Sequence, residues 1–280
     1  MPPKKHIIII GVLCVIALGL GYVYGKWRQG SGQENAGNVE AKEETVTKDS
    51  GSGGGKSGGD NTPDSLKQGL VAYYPFKGNA KDESGNGNDG AVNGATLTND
   101  RHSKNARAYS FDGKDDLIEI PSSQSINAIE SFGITFWVKA KKAQNPDSHG
   151  YVSLLARWDQ TNANDWFGIW LVGFSSVSTA TWPNRQVTQS APLQKEVWQH
   201  VVYTHDASGG SIYIDGELKS QRKLSIRLRE TSIPIIIGAD NFHSKRMFRF
   251  FTGQLDDIRI YNRALTEAEV EELYEFEKAN

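Results

Sequence analysis

Hydrophobic and polar positions divide the chain into three parts. Residues 7–24 read IIIIGVLCVIALGLGYVY and carry no charge, whereas residues 30–65 lack aromatic and almost all branched aliphatic side chains. From residue 66 onward, short apolar runs alternate with turns rich in Gly, Asn and Asp. The pattern predicts a short tail (1–6), a transmembrane anchor (7–25), a disordered stalk (26–65) and one folded domain (66–277).

The anchor prediction depends on length and on flanking residues. An eighteen-residue helix spans about 27 Å, close to the hydrocarbon thickness of a bilayer. Tyr22, Tyr24 and Trp27 occupy the interfacial position, and Lys4 and Lys5 precede the apolar run. The alternative is a cleaved signal peptide, which would make the protein secreted. We predict a single-pass protein with its N-terminus inside and an extracytoplasmic domain.

The stalk prediction follows from composition. Residues 30–65 cannot bury enough apolar surface to offset the entropy lost on ordering, and a Gly/Ser-rich chain of this length spans roughly 30 to 35 Å. Such a tether would lift a domain clear of the lipid headgroups.

The folded domain is predicted to be all-β. Strand-like runs recur along it, for example Leu70–Phe76, Gly133–Lys141 and Trp198–His205, and Asp112–Asp116 joins two runs as a hairpin turn. Helical periodicity occurs only near the C-terminus, where Thr266 and Glu269 form a capping-box pattern. Many strands with one short helix predict a two-sheet antiparallel sandwich.

Composition excludes some classes of function. Lys and Arg number 31 against 33 Asp and Glu, so the strongly basic footprint of a nucleic-acid-binding protein is missing. The one cysteine, Cys14, lies in the apolar run, so no disulfide can form within the chain and the domain must depend on its core.

The order of several motifs resembles the bacterial laminin-G-like, concanavalin A-like jelly-roll family. The motifs are LVAYYPFKGNAKDESGNGNDGAV, SFDGKDDLIEIP, FGITFWVKA, WQHVVYTHDASGGSIYIDGEL, PIIIGAD and GQLDDIRIYNRALTEAEVEELY. The resemblance covers Leu66 to about Phe276 and implies a lectin-like jelly roll at a bacterial envelope or cell surface. One departure is Lys77, where the family pattern has an acid, so a metal role at that position is lost.

The resemblance also implies a structural calcium ion. In lectin-fold β-glucanases, an Asp in the final strand helps to hold calcium, and Asp256 corresponds to it. Strand alternation places Asp256 beside Ile258 and Ile260, facing the core, where a buried carboxylate needs a partner. Loops near Asp82 and Asp112 could complete the oxygen shell. The alternative is an aspartate bonded to loop amides without metal.

The candidate ligand site is an aromatic surface inferred from strand alternation. Side chains opposite in parity to the apolar positions are expected to face outward and to form one surface. These residues are Trp137, Arg157, Asp159, Trp166, Trp170 and Tyr213. Flat rings beside hydrogen-bonding groups suit sugars. The alternative is that loops cover the tryptophans as a second small core.

The sequence does not favour catalysis. Glycanases of this fold place two carboxylates on one strand face, but the nearest pair here, Asp215 and Glu217, lies in a predicted hairpin turn. The leading hypothesis is a non-catalytic module that binds a glycan. The alternative is a module for protein–protein interaction or adhesion in the cell envelope, and polysaccharide hydrolysis is a remote third hypothesis.

Overall fold

The computed structural model describes residues 62–127, 130–157, 167–173, 175–181, 186–223, 232–240 and 247–280. These residues form fifteen strands and three helices. In chain order the elements are α1 (Asp64–Lys67), β1 (Leu70–Tyr74), β2 (Ala91–Asn93), β3 (Thr96–Thr98), β4 (Ala108–Asp112), β5 (Leu117–Ile120), α2 (Gln124–Asn127), β6 (Phe132–Ala140), β7 (Tyr151–Arg157), β8 (Phe167–Val172), β9 (Ser176–Thr181), β10 (Gln186–Pro192), β11 (Gln199–Asp206), β12 (Gly209–Ile214), β13 (Glu217–Lys223), β14 (Ile235–Ile237), β15 (Thr252–Tyr261) and α3 (Glu267–Ala279).

The strands form two antiparallel sheets. The eight-stranded sheet has the order β13-β12-β11-β6-β15-β4-β3, with β1 paired to β15, and the seven-stranded sheet has the order β10-β9-β8-β7-β14-β5-β2. The prediction of an all-β, two-sheet antiparallel sandwich with a C-terminal helix is confirmed.

The predicted anchor (7–25) and almost all of the stalk lie outside the described residues. The last two residues of the predicted stalk, Asp64 and Ser65, belong to α1. In the part of the chain that the structure describes, no helix is long and apolar enough to cross a membrane.

The core lies between the inner faces of the two sheets. Alternation correctly identifies its members in two central strands: Ile134, Phe136 and Val138 of β6 are all buried in it. Phe167, Ile169 and Leu171 of β8 meet them from the other sheet. Each such side chain contributes roughly 2 kcal/mol through burial.

A β-bulge in β15 changes the direction of Asp256. The register with β6 shifts between Asp256 and Arg259, and Asp257 has a φ of 42°. The extra residue leaves both Leu255 and Ile258 in the core. Asp256 lies opposite Trp137 and therefore shares its outward face. The expectation that Asp256 points into the core is wrong, because simple alternation does not hold across a bulge.

A second bulge, in β7, changes the direction of Arg157. The register with β8 shifts between Ser153 and Leu155, so Leu154 and Leu155 are both in the core. Arg157 then lies opposite Phe167 on the inner side, and its Nη1 donates to the carbonyl of Ile126 at 2.8 Å. Arg157 is buried at the end of the sandwich and does not belong to an outward surface.

Helix α3 packs on the outer face of the eight-stranded sheet. Its predicted capping box is confirmed, since Thr266 accepts from the Glu269 amide and Glu269 accepts from the Thr266 amide. Arg263 holds Glu269 in a bidentate ion pair at 2.7 and 2.9 Å. The helix rests on a small apolar cluster formed by Val202, Tyr213, Tyr261, Leu265 and Val270.

Candidate functional site

Trp137 faces outward from β6, as predicted, but helix α3 covers it. Its Nε1 donates to Oε2 of Glu277 at 2.8 Å, and the ring of Tyr274 stacks on it with centroids 5.9 Å apart. Only 5% of Trp137 is exposed. The expectation of an open aromatic surface is wrong here because the helix occupies that surface.

A buried network of charges lies beneath the C-terminal half of α3. Nη1 of Arg101 donates to Asp256 at 2.7 Å and to Asp257 at 2.6 Å, while its Nε and Nη2 donate to the carbonyl of Glu277. Arg259 donates through Nε to Glu277 at 2.7 Å. Burial raises the pKa of Asp256, a shift increased by Asp257 and opposed by Arg101. A cavity of about 180 Å³ opens beside this network.

Trp170 lies on the other sheet, so it cannot share a surface with Trp137. Its Nε1 donates to Oδ2 of Asp240 at 2.7 Å, and only 4% of the residue is exposed. Arg249 joins Asp240 to Asp147, with ion-pair distances of 3.3 and 2.7 Å. The expectation that the tryptophans form one exposed face is wrong, because Trp137 and Trp170 are both buried and lie on different sheets. Trp166 and Asp159 lie outside the described residues.

A groove on the outer face of the eight-stranded sheet offers a site of ligand size. Its volume is about 670 Å³, within the range usual for small-molecule sites. Strands β12 and β13 form its floor and edge, the β11–β12 turn closes one end, and the start of α3 forms the opposite wall. The side chains that carry its chemistry are Thr204, Asp206, Ser208, Ser211, Tyr213, Gln221, Lys223, Thr266 and Glu267.

Among the predicted ligand residues that the structure describes, Tyr213 alone lines this groove, and 5% of it is exposed. Ser211 shares its outward face, two residues earlier in β12, and Gln221 lies opposite Ser211 in β13. Burial raises the pKa of Tyr213, and the carboxylate of Glu267 adds to the shift, while a hydrogen bond with Ser211 acts in the opposite direction. The phenol therefore keeps its proton at neutral pH and can donate a hydrogen bond. Alternation could have found Ser211, but nothing in the sequence indicates the wall that α3 supplies.

The three predicted metal ligands do not form one site. Asp82 accepts hydrogen bonds from the amides of Tyr73, Ser84 and Asn88, each at 2.8 or 2.9 Å. These three bonds hold the Asp82 carboxylate within its own loop. Asp256 is ion-paired with Arg101, so donors of the protein fill the positions that a cation would need.

Asp112 lies in a different loop, with its carboxylate within 4.8 Å of those of Asp115 and Asp116. The residues Asp82, Asp112 and Asp256 therefore do not fit a shared calcium ion, and calcium binding by this domain stays a prediction.

Asp215 and Glu217 are the carboxylate pair that comes nearest to a glycanase arrangement, and Asp215 stabilises the turn between β12 and β13. Oδ1 and Oδ2 of Asp215 accept from the His200 amide and from Nε2 of Gln199, each at 2.9 Å. Glu217 is exposed and pairs with Lys219. Asp215 lies in the turn and Glu217 is the first residue of β13, so the two do not share one strand face, and neither lines the cavity beside Arg101 or the groove beside β12 and β13. Glycanases of this kind place their pair on one strand face beside the cleft.

A family model and a curated protein each match a large part of this chain. The family model described as the concanavalin A-like lectin/glucanases superfamily matches residues 112–271. Paraclostridial mosquitocidal protein 1 of Paraclostridium bifermentans is 24% identical over 230 residues, which cover 75% of this chain and 18% of that protein. The chain thus spans less than a fifth of the length of this curated relative.

Solved structures extend the comparison. The binding domain of Paraclostridial mosquitocidal protein 1 superposes with a TM-score of 0.60 at 21% identity, covering 75% of this chain and 52% of that chain. The receptor binding domain of botulinum neurotoxin D gives 0.56 at 19% identity, covering 76% and 54%. Domain 4 of AbnA, an extracellular arabinanase from Geobacillus stearothermophilus, in complex with arabinotriose, gives 0.53 at 18% identity, covering 73% and 98%. At these identities the likeness shows the fold.

Proposed function

Because the chain belongs to the concanavalin A-like lectin/glucanases superfamily, we propose that residues 66–277 are a non-catalytic module that binds carbohydrate in the groove beside β12 and β13. The observation that carries the proposal is the lining of that groove. It combines hydroxyl, amide and charged groups with Tyr213, which is 5% exposed, around about 670 Å³. Sugars need many hydrogen-bond donors and acceptors, and this groove supplies them.

The similar structures support this proposal. One is a domain in complex with arabinotriose, a carbohydrate, and two are binding domains of larger proteins. Because a fold does not fix a ligand, the groove residues rather than the fold must explain any specificity. The structural role of Asp215 supports a module without catalysis.

The test is a glycan array with the full chain, followed by calorimetric titration of any glycan that binds. Tyr213→Phe removes only the phenol hydroxyl, and Gln221→Ala removes the amide. Each change is expected to weaken binding about fivefold, the effect of one lost hydrogen bond of about 1 kcal/mol. Lys219→Ala, an exposed neighbour in β13 that does not line the groove, serves as the control and should leave affinity unchanged. A glycan whose affinity ignores both groove variants would overturn the proposal.

A second candidate is recognition of a protein partner. Strand β13 is the edge of the eight-stranded sheet, and Leu218 on it is 40% exposed. Exposed edge strands can pair with a strand of another chain. Capture of a partner that added sugars do not displace, and that Leu218→Lys abolishes, would favour this candidate over carbohydrate binding.

We also propose that residues 7–25 anchor the module in a membrane and that residues 26–65 hold it on the extracytoplasmic side. The support is the uncharged run between flanking basic residues. Membrane fractionation with protease treatment of intact cells tests this proposal. Recovery of a shortened chain in the medium would instead indicate a cleaved segment and a secreted protein, whereas an intact chain in the soluble cytoplasmic fraction would refute both.

A further inference from the structure

The side chain of Arg263 lies where the first and the last helices of the described chain meet. Its Nε donates to the carbonyl of Gln68 at 2.8 Å, and its Nη2 donates to the carbonyl of Ser65 at 3.3 Å. Its Nη1 donates to the carbonyl of Ala264 at 3.2 Å, and Nη1 and Nη2 both donate to Glu269, at 2.9 and 2.7 Å. One guanidinium therefore joins the end of α1, the loop before α3 and the first turn of α3.

The shape of the guanidinium, more than its charge, suits this position. Arginine presents a planar fork of donors on three nitrogens, whereas lysine presents one compact ammonium group. The side chains of Arg263 and Glu269 remain 24% and 19% exposed, so their attraction is partly screened by solvent. What only the fork can do is hold acceptors of three chain segments at fixed positions around one plane.

The backbone beside Arg263 also packs directly against the end of α1. The amide of Asn262 donates to the carbonyl of Gly69 at 2.8 Å. A Cβ added at Gly69 would lie 2.8 Å from Oδ1 of Asn262 and 3.0 Å from Cγ of Arg263, so no gap separates the two segments. The hydroxyl of Ser65 donates to Glu272 of α3 at 3.0 Å. A displacement of α1 must therefore move the acceptors of Arg263.

One wall of the groove begins at the residue after Arg263. Residues 264–267 all line the groove. The amide of Thr266 donates at 2.8 Å to Oε2 of Glu269, which is the oxygen that also accepts from Nη1 of Arg263. The cap that shapes this wall is therefore completed by a carboxylate that Arg263 orients.

We propose that Arg263 is a positioning residue that couples α1 to the wall of the groove, so that displacement of α1 loosens residues 264–267. The inference rests on the proposed function only in taking the groove as the ligand site, and the coupling itself needs no ligand. Because α1 contains the last two residues of the predicted stalk, the tether would act on the groove through this side chain.

Hydrogen exchange of the full chain, measured by mass spectrometry, tests the coupling as a double-mutant cycle. Leu66 is the buried residue of α1, so Leu66→Ala loosens that element. We expect protection of residues 264–270 to fall about fivefold, the effect of about one lost hydrogen bond. In Arg263→Lys, which keeps the charge but cannot bridge three segments, Leu66→Ala should change that protection by less than about twofold. Lys67→Ala, an exposed neighbour in α1, is the control and should leave it unchanged.

The same cycle can be run from the wall toward α1, because coupling between two sites is reciprocal. Thr266→Ala removes the hydroxyl that accepts from the Glu269 amide and loosens the start of α3. We expect protection of residues 63–70 to fall at least about twofold in the wild-type background and to stay constant in Arg263→Lys. Thr266 is exposed, so this arm decides the question if Leu66→Ala fails to fold.

Protection in β8 (Phe167–Val172), in the opposite sheet, is the reference for opening of the whole domain. An equal loss of protection in β8 would overturn the proposal, and so would a response in Arg263→Lys as large as that in the wild type. Unchanged protection of the wall in Leu66→Ala, or of residues 63–70 in Thr266→Ala, would also overturn it. Failure of glycan binding would leave these readouts unaffected, so the two proposals are tested separately.

Discussion

Gly168 in β8 lies beneath the ring of Trp170, and this contact gives a sharp test of the position of that buried ring. A Cβ added at Gly168 would lie 2.0 Å from Cζ2 and 2.2 Å from Cη2 of that ring. Ordinary carbon–carbon contact is about 3.5 Å, so the ring would have to move by roughly 1.5 Å. The ring is not free to do so, because Nε1 is bonded to the buried carboxylate of Asp240 at 2.7 Å.

The cost of Gly168→Ala can be worked from these contacts. Overpacking costs about 1–3 kcal/mol, and a hydrogen bond to a charged acceptor contributes about 1.5–3 kcal/mol. The Trp170 ring must either stay in the clash or give up its hydrogen bond to Asp240. We therefore expect Gly168→Ala to destabilise the domain by about 3 kcal/mol. For a domain of this size that is a fall in Tm of about 6–12 °C.

Urea denaturation of the wild type, of Gly168→Ala, of Trp170→Phe and of the double variant measures the effect as a double-mutant cycle. In the Trp170→Phe background the clashing atoms are gone, so Gly168→Ala should cost at least about 1.5 kcal/mol less than in the wild type. Equal costs in both backgrounds would refute the placement of the Trp170 ring over Gly168.

Two further predictions concern carboxylates that the sequence singles out. Asp215→Ala should destabilise the domain by about 2–3 kcal/mol in urea, because two hydrogen bonds are lost at a residue with a φ of 53°, whereas Glu217→Gln should stay within about 0.5 kcal/mol. The reverse order would contradict the structural role of Asp215. The Tm measured in calcium chloride is compared with the Tm measured in EDTA, for the wild type and for Asp256→Asn. The difference should be the same in both proteins, because Arg101 already occupies the Asp256 carboxylate. A difference that is lost in Asp256→Asn would place calcium at that carboxylate.

Particular residues show where prediction from the sequence succeeds. Strand alternation correctly places Phe136 and Ile169 in the core and Trp137 on an outer face. The capping box at Thr266 correctly predicts the start of α3. These features are local, because hydrophobic period and helix capping depend on residues a few positions apart.

The failures come from contacts between distant parts of the chain. Bulges in β7 and β15 reverse the directions expected for Arg157 and Asp256, and a bulge depends on pairing with a neighbouring strand. Trp137 and Trp170 prove to be on different sheets, since sheet membership is a matter of topology.

Local periodicity encodes the all-β class, the inward positions of the central strands and the terminal helix, so all three can be predicted from the sequence. What the outward side chains contact depends on how distant segments pack. Glu277 lies 140 residues from Trp137 along the chain, yet its carboxylate accepts the indole N–H and covers the surface that alternation left open. Whether an outward residue is exposed depends on what packs over it, and that partner is chosen by the fold rather than by the strand in which the residue lies.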